Sequence, residues 1–205
     1  MFKILKIEQN PKRRELFYIF LNDGRVLELK YQTIQHFKLF ADDIITEKQL
    51  NLIMSHDNYE RAKDIALKFL AKRSRTKYEI CKYLKTKGFQ NMEIFRVLLF
   101  CYNKGLINDY EYAKRYTLEC INSKKDGLYK IRRKLLEKGI SKKTVNRVLK
   151  ELVTEDNQLT NAFTLAQKKL KLLSGKSNKK EKLYRYLLQK GFPKNVIFKA
   201  INHFS

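Results

Sequence analysis

Tyr83-Leu84-Lys85-Thr86-Lys87-Gly88-Phe89, Lys134-Leu135-Leu136-Glu137-Lys138-Gly139-Ile140 and Tyr186-Leu187-Leu188-Gln189-Lys190-Gly191-Phe192 are three versions of one phrase. Their glycines stand 51 and 52 residues apart. Four residues before each glycine is a leucine: Leu84, Leu135 or Leu187. The residue after it is Phe89, Ile140 or Phe192. Six residues after come Ile94, Val145 and Ile197, and ten after come Leu98, Leu149 and Ile201. A helix that ends in Lys-Gly explains the phrase. Glycine takes the left-handed conformation that closes a helix, and lysine faces the negative end of the helix dipole. The apolar residue after glycine covers the helix end. A second helix then buries positions six and ten on one face.

A preceding helix completes each unit, at about residues 64–72, 109–122 and 159–173. The reading is therefore mainly α, with three tandem three-helix repeats. A period near 50 with short links points to an elongated array in which neighbouring units bury one another's faces. Helix starts fit this frame. Thr46-Glu47-Lys48-Gln49 is a capping-box pattern, and similar starts recur at Thr76…Glu79, Asn108…Glu111 and Asn178…Glu181.

The first sixty residues differ. Leu16-Phe17-Tyr18-Ile19-Phe20-Leu21 and Arg25-Val26-Leu27-Glu28-Leu29 flank Asn22-Asp23-Gly24, a hairpin signal. Apolar spacing over residues 31–40 predicts a short helix. An isolated hairpin is marginal in water, so it must pack on that helix or on a strand from residues 2–7. The predicted division is 1–60 for a hairpin-plus-helix module, then repeats at 61–103, 104–153 and 154–205.

The net charge is +24. Residues 1–60 hold nine basic and nine acidic side chains, so residues 61–205, with 36 and 12, carry the whole excess. Nucleic acid is the first candidate to neutralise it, an anionic membrane surface the second, and a merely lysine-rich surface is the plain alternative. Cys81, Cys101 and Cys120 show neither CxxC nor CxxxH spacing, so they read as reduced thiols packed as small hydrophobes. No signal peptide and no apolar run of about 18 residues is visible, so a soluble cytoplasmic monomer without membrane contact is expected. His36, His56 and His203 are isolated in sequence, and no phosphate loop or metal spacing appears. Asp42-Asp43 reads as a loop leading to the Thr46 cap rather than a nuclease metal site. No catalysis and no cofactor are expected.

The Leu-x-x-Lys-Gly-Phe/Ile units are similar to the repeats of the RecX family. So is Lys104-Gly105-Leu106-Ile107-Asn108-Asp109-Tyr110-Glu111-Tyr112-Ala113, which resembles that family's Gly-Leu/Tyr-Ile-Asp-Asp-x-x-Phe/Tyr-Ala signature. The segment from Asp126-Gly127 through Ile131, Leu135, Lys138 and Ile140 resembles the next family stretch. The likeness covers roughly residues 61–205. Asn108 stands where the family commonly has Asp, and it still caps a helix. Gly88, Gly105, Asp109, Gly127, Gly139 and Gly191 match the family's structural positions. The resemblance implies a regulator that binds the filament of RecA recombinase on single-stranded DNA. It further implies modulation, usually inhibition, of RecA's ATPase, strand exchange and coprotease activity. Duplex DNA is expected to bind more weakly or without sequence preference.

The candidate binding residues are the basic ones on successive units: Arg73, Arg75, Lys77 and Lys82, then Lys130, Arg132, Arg133, Lys134, Lys142, Lys143 and Arg147, then Lys179, Lys182 and Arg185, with Lys176 and Lys180 beside them. Arginine is favoured because guanidinium pairs bidentately with phosphate or carboxylate. Tyr78, Tyr83, Tyr112, Tyr116, Tyr129, Tyr184 and Tyr186 lie among them; some could stack on bases, but packing is the commoner fate. An alternative reading takes residues 139–150 as a helix-turn-helix start, with Ser141 capping a recognition helix and Lys142, Lys143, Asn146 and Arg147 facing duplex DNA.

Overall fold

The structure, a computed structural model, describes residues 1–173 and 178–204. Lys176 lies outside them. The chain opens with β1 (Phe2–Gln9), β2 (Leu16–Leu21), β3 (Val26–Lys30), α1 (Tyr31–Phe37) and β4 (Ile44–Ile45). These strands form one antiparallel sheet in the order β3-β2-β1-β4. The hairpin turns where the sequence placed it. The Leu21 N–H donates to the Arg25 carbonyl at 2.9 Å, and Gly24 takes φ +87°, which a three-residue hairpin loop needs. The Asn22 carboxamide oxygen accepts the Lys3 N–H at 2.9 Å, tying the turn to β1. Both supports expected for the hairpin are present. One sheet face, with Ile4, Ile19, Leu21 and Leu29, buries against Ile34 of α1 and against Leu50 and Ile53 of the next helix. The short β4 was not expected; Ile44 and Ile45 pair with Lys3 and Phe2.

That next helix, α2, runs unbroken over Glu47–Lys72. Its capping box is complete: Thr46 Oγ1 accepts the Gln49 N–H, and the Gln49 side chain accepts the Thr46 N–H at 2.8 Å. The helix expected at residues 64–72 is only its last third, and position 60 falls inside it. Asp57 explains the continuity. Its carboxylate, buried in the middle of α2, accepts the Lys30 N–H at 2.7 Å, the Thr33 hydroxyl at 2.8 Å and Arg61 Nε at 2.6 Å. The sheet and α2 are therefore parts of one body. By contacts the chain divides into two compact units, residues 1–73 with 80–106, and residues 74–79 with 107–205.

The remaining helices are α3 (Lys77–Thr86), α4 (Asn91–Asn103), α5 (Asp109–Glu119), α6 (Leu128–Glu137), α7 (Lys142–Leu152), α8 (Glu155–Lys171), α9 (Lys179–Gln189) and α10 (Lys194–His203), with a π-helical turn at Cys120–Lys124. Among the described residues beyond position 60 there are nine α-helices, counting α2, and no strand. The three Lys-Gly corners share one geometry. Phe89, Ile140 and Phe192 donate their N–H groups back to Leu84, Leu135 and Leu187 at 3.2–3.3 Å, and Gly88, Gly139 and Gly191 are left-handed. This is the helix-ending motif inferred from the phrase. The second repeat closes over Ile131, Leu135, Ile140, Val145 and Leu149, and the third over Leu183, Leu187, Phe192, Ile197 and Ile201. Each is a separate core built from the predicted positions. The caps at Thr76, Asn108 and Ser141 form as hydrogen bonds. Asn178 departs from expectation: it is left-handed and makes no side-chain cap. Cys101 and Cys120 are buried, Cys81 is half-buried, and none is bonded to another.

Within the second unit, two helix starts dock on Lys-Gly corners, one through side chains and one through backbone N–H groups. The Thr76 hydroxyl, at the start of α3, donates to the Lys138 carbonyl at 2.8 Å, and Tyr78 lies against Gly139. At the start of α6, the Gly127 and Tyr129 N–H groups donate to the carbonyls of Lys190 and Gly191 at 2.8 and 2.9 Å. The Leu128 N–H donates to the Gln158 side chain at 2.8 Å. At α6, backbone donors that a helix start normally leaves unpaired are thus satisfied by the following repeat.

Candidate nucleic-acid interface

The basic side chains sort into those the fold uses and those it leaves outward. Lys130 and Lys134 belong to the fold. Their ammonium groups reach the buried Asp126 carboxylate at 2.7 and 3.0 Å. Burial raises the Asp126 carboxyl pKa, but the two lysines outweigh it and hold the group below its ordinary range. Arg132 bridges α6 to α7 through the Asn146 side-chain oxygen. Arg147 donates to Glu151 at 3.0 Å and lies 4.5 Å over the Tyr110 ring, while the Tyr110 hydroxyl donates to the same carboxylate at 2.6 Å. That hydroxyl, and then Arg147, hold the Glu151 carboxyl below its usual range. Arg73, Arg75 and Lys182 each have a partner within the chain.

The outward set is different. Arg133 is mostly exposed and only 3.6 Å from an equally exposed Glu137, a pair worth little in water. Lys142 and Lys143 stand exposed in the first turn of α7, and Lys77, Lys82 and Lys179 are exposed on α3 and α9. Arg185 pairs with Glu181 on the outer face of α9, both more than half exposed. In the third repeat, α8 and α9 flank an open groove of about 280 Å³ lined by Lys169, Leu173, Lys182, Arg185, Tyr186 and Gln189. Among the described residues, three cations and no carboxylate line it, and Lys169 Nζ stands 5.2 Å from the Tyr186 ring centre. Lys169 was absent from the sequence-derived candidates. Its only signal was the cluster Lys168, Lys169 and Lys171 in the last turn of α8.

Asp109 also has a use the sequence did not reveal. Besides opening α5, its carboxylate accepts the backbone N–H of Lys77 at 2.9 Å. Burial pushes the carboxyl up, and that N–H draws it back. The tyrosines mostly pack: Tyr83 stacks on Phe69, and Tyr112 on Tyr116, while Tyr78 and Tyr129 remain about half exposed. The histidines counted as isolated include a pair, since the rings of His36 and His56 stack at 4.2 Å. No group of three or more His, Cys, Asp or Glu side chains suited to a metal occurs among the described residues, and no helix there is long and apolar enough to cross a membrane.

These features define a class first: three basic three-helix repeats, each with a Lys-Gly corner, preceded in sequence by a small antiparallel sheet. Residues 62–101, 108–149 and 155–201 match the family descriptions of the first, second and third three-helix domains of RecX. The chain belongs to the RecX family of regulatory proteins. It is 30% identical over 200 residues to a "Regulatory protein RecX" of Staphylococcus saprophyticus subsp. saprophyticus, covering 96% of this chain and 72% of that one. A protein of the same name from Listeria welshimeri is 30% identical over 197 residues, covering 95% and 72%. Among solved structures, a "Crystal structure of regulatory protein RecX" superposes with a TM-score of 0.77 at 26% identity, covering 98% of this chain and 100% of that one. RecX from Lactobacillus salivarius superposes at 0.67 with 29% identity, over 72% and 97%.

Proposed function

We propose that this chain is a non-enzymatic regulator that binds the RecA filament on single-stranded DNA and lowers its ATP hydrolysis, strand exchange and coprotease activity. The supporting observation is the coincidence of three RecX domains with the entire positive excess of the chain. In this reading the four segments 1–60, 61–103, 104–153 and 154–205 act as a neutral module and three basic ones. The protein works as a cytoplasmic monomer, without cofactor or membrane partner, and binds single-stranded DNA better than duplex. The phosphate-facing groups are Arg133, Lys142, Lys143, Lys77, Lys82, Lys179, Lys169 and Arg185. Arg73, Arg75, Lys182, Arg132 and Arg147 contribute where they exchange their internal partners for phosphate, and Lys130 and Lys134 chiefly hold Asp126. The test is to add the protein to RecA-coated single-stranded DNA and follow ATP hydrolysis. A rate that falls with added protein is expected; an unchanged rate at saturating protein overturns the proposal.

A recognition-helix role for α7 has less support. Two of the four side chains it would use, Asn146 and Arg147, are engaged by Arg132 and Glu151.

Direct phosphate contact makes binding to bare single-stranded DNA depend on salt. Each neutralised phosphate contributes about −0.7 to the slope of log K against log salt, so four or five contacts give about −3. Arg133→Ala should flatten the slope by about 0.7. Arg132→Ala should flatten it less, because Asn146 holds that guanidinium. Anisotropy titrations at several salt concentrations decide the matter. A slope near zero in the unaltered protein would sink direct phosphate contact.

A further inference from the structure

Helix α4 has two apolar faces, and the fold uses one. Ile94, Val97, Leu98 and Cys101 are buried. On the other side Met92, Phe95, Leu99 and Tyr102 are 65, 61, 48 and 71% exposed. Their spacing of three, four and three residues lines them up as one seam. The repeats show that such a seam is not an architectural need. Counted from the corner glycine, the same positions in α7 and its end are Lys143, Asn146, Lys150 and Val153; in α10 the first three are Asn195, Phe198 and Asn202. Four adjacent large apolar side chains left in water mark a docking surface.

We propose that the outer face of α4 docks an amphipathic helix of a partner protein, one with an apolar seam and acidic flanks. Charge chooses the occupant. The one carboxylate of α4, Glu93, is buried. Arg96 borders the seam, half-exposed and 4.3 Å over the Tyr59 ring, and exposed Lys104 follows the helix while exposed Lys87 precedes it. A second copy would bring these cations against their own equivalents, each chain carrying +24, with no exposed carboxylate on the helix to answer them. Phosphate would leave the seam unfilled. An acidic amphipathic helix matches both seam and rim, by the usual i, i+3, i+7 mode of helix recognition. This inference stands apart from the filament reading and does not depend on it.

The test uses the full chain and a fluorescein-labelled helical peptide of about three heptads, with leucine at the seam positions and glutamate elsewhere. A matched peptide with lysine in place of glutamate is the control. The acidic peptide should bind and the lysine peptide should not. The double variant Phe95→Glu, Leu99→Glu should weaken binding at least about tenfold, the effect of losing two anchors at an interface centre. Its circular dichroism and its affinity for single-stranded DNA should stay unchanged, since both side chains already face water. Equal binding by the lysine peptide, or undiminished binding by the double variant, overturns the proposal. So does a concentration-dependent dimer, seen by sedimentation, that the double variant abolishes, because the face would then belong to a second copy.

Discussion

Gly127→Ala should lower the stability of the unit that contains the second and third repeats by about 3–5 kcal/mol. An added Cβ would overlap the carbonyl carbon and oxygen of Gly191 and the nitrogen of Phe192, which are backbone atoms with nowhere to go. Relief requires the start of α6 to withdraw, and withdrawal breaks the hydrogen bonds from Gly127 and Tyr129 to Lys190 and Gly191. Overpacking of that kind costs about 1–3 kcal/mol, and each lost backbone bond about another 0.5–1.5. Gly88→Ala is the control. Gly88 has φ +86°, as Gly191 does, but nothing lies within 4 Å of a Cβ placed there. It should lose only the conformational cost of a left-handed alanine, about 1–2 kcal/mol. Urea unfolding followed by circular dichroism measures both, and similar midpoints for the two variants would refute the close-approach argument.

Asp126→Asn should cost about 2–3 kcal/mol at pH 7, because it leaves two lysines facing an amide in a site the fold has closed. Removing one partner of a fully buried ion pair costs about 3–5 kcal/mol, and the value here is lower because Lys130 and Lys134 are 21 and 28% exposed. The pH dependence follows from the sign of the shift. The carboxyl pKa is depressed in the folded protein. Its contribution is therefore complete above the unfolded value of about 3.9 and is lost as pH falls through the folded value. The stability gap between wild type and Asp126→Asn should be constant from pH 7 to about 5 and close on acidification below about 4. A gap that persists unchanged at pH 3 would mean that Asp126 acts through shape and not through charge.

What was legible in the sequence was whatever local chemistry dictates. The Lys-Gly corners, the Thr46 cap and the hairpin at Gly24 each depend on residues close in sequence, and each forms as read. The continuity of α2 was hidden because Asp57, Glu60 and Asp64 interrupt its apolar pattern. Asp57 and Glu60 nevertheless point inward, satisfied by Arg61 and Lys63 and by backbone from the hairpin, while half-exposed Asp64 answers the buried Lys30. Strand β4 was hidden because two residues after an Asp pair carry no period. The site was harder to read than the fold. Lys130 and Lys134 do leave the apolar stripe of α6, as the helical wheel requires, but Asp126 lies just ahead of that helix to receive them. Arg147 similarly meets Tyr110 and Glu151, partners fixed by the packing of α5 on α7. Single-helix reasoning tells which way a cation leaves its helix, and tertiary packing decides whether water or a carboxylate is waiting.

The joint between helix start and Lys-Gly corner has a direction. Each period of about fifty residues owns one plug, the first turn of its middle helix, and one socket, the corner that ends that helix. Thr76 to Tyr78 and Gly127 to Tyr129 fill the sockets at Gly139 and Gly191. The socket at Gly88 has open space above it, and the plug at Asn178 to Lys180 meets no corner among the described residues. A lineage that duplicates one whole period inherits a plug and a socket already cut to fit, at either end, without inventing a new contact. Each joint therefore faces one way along the chain, and a helix start added ahead of the corner at Gly88 would find open space there.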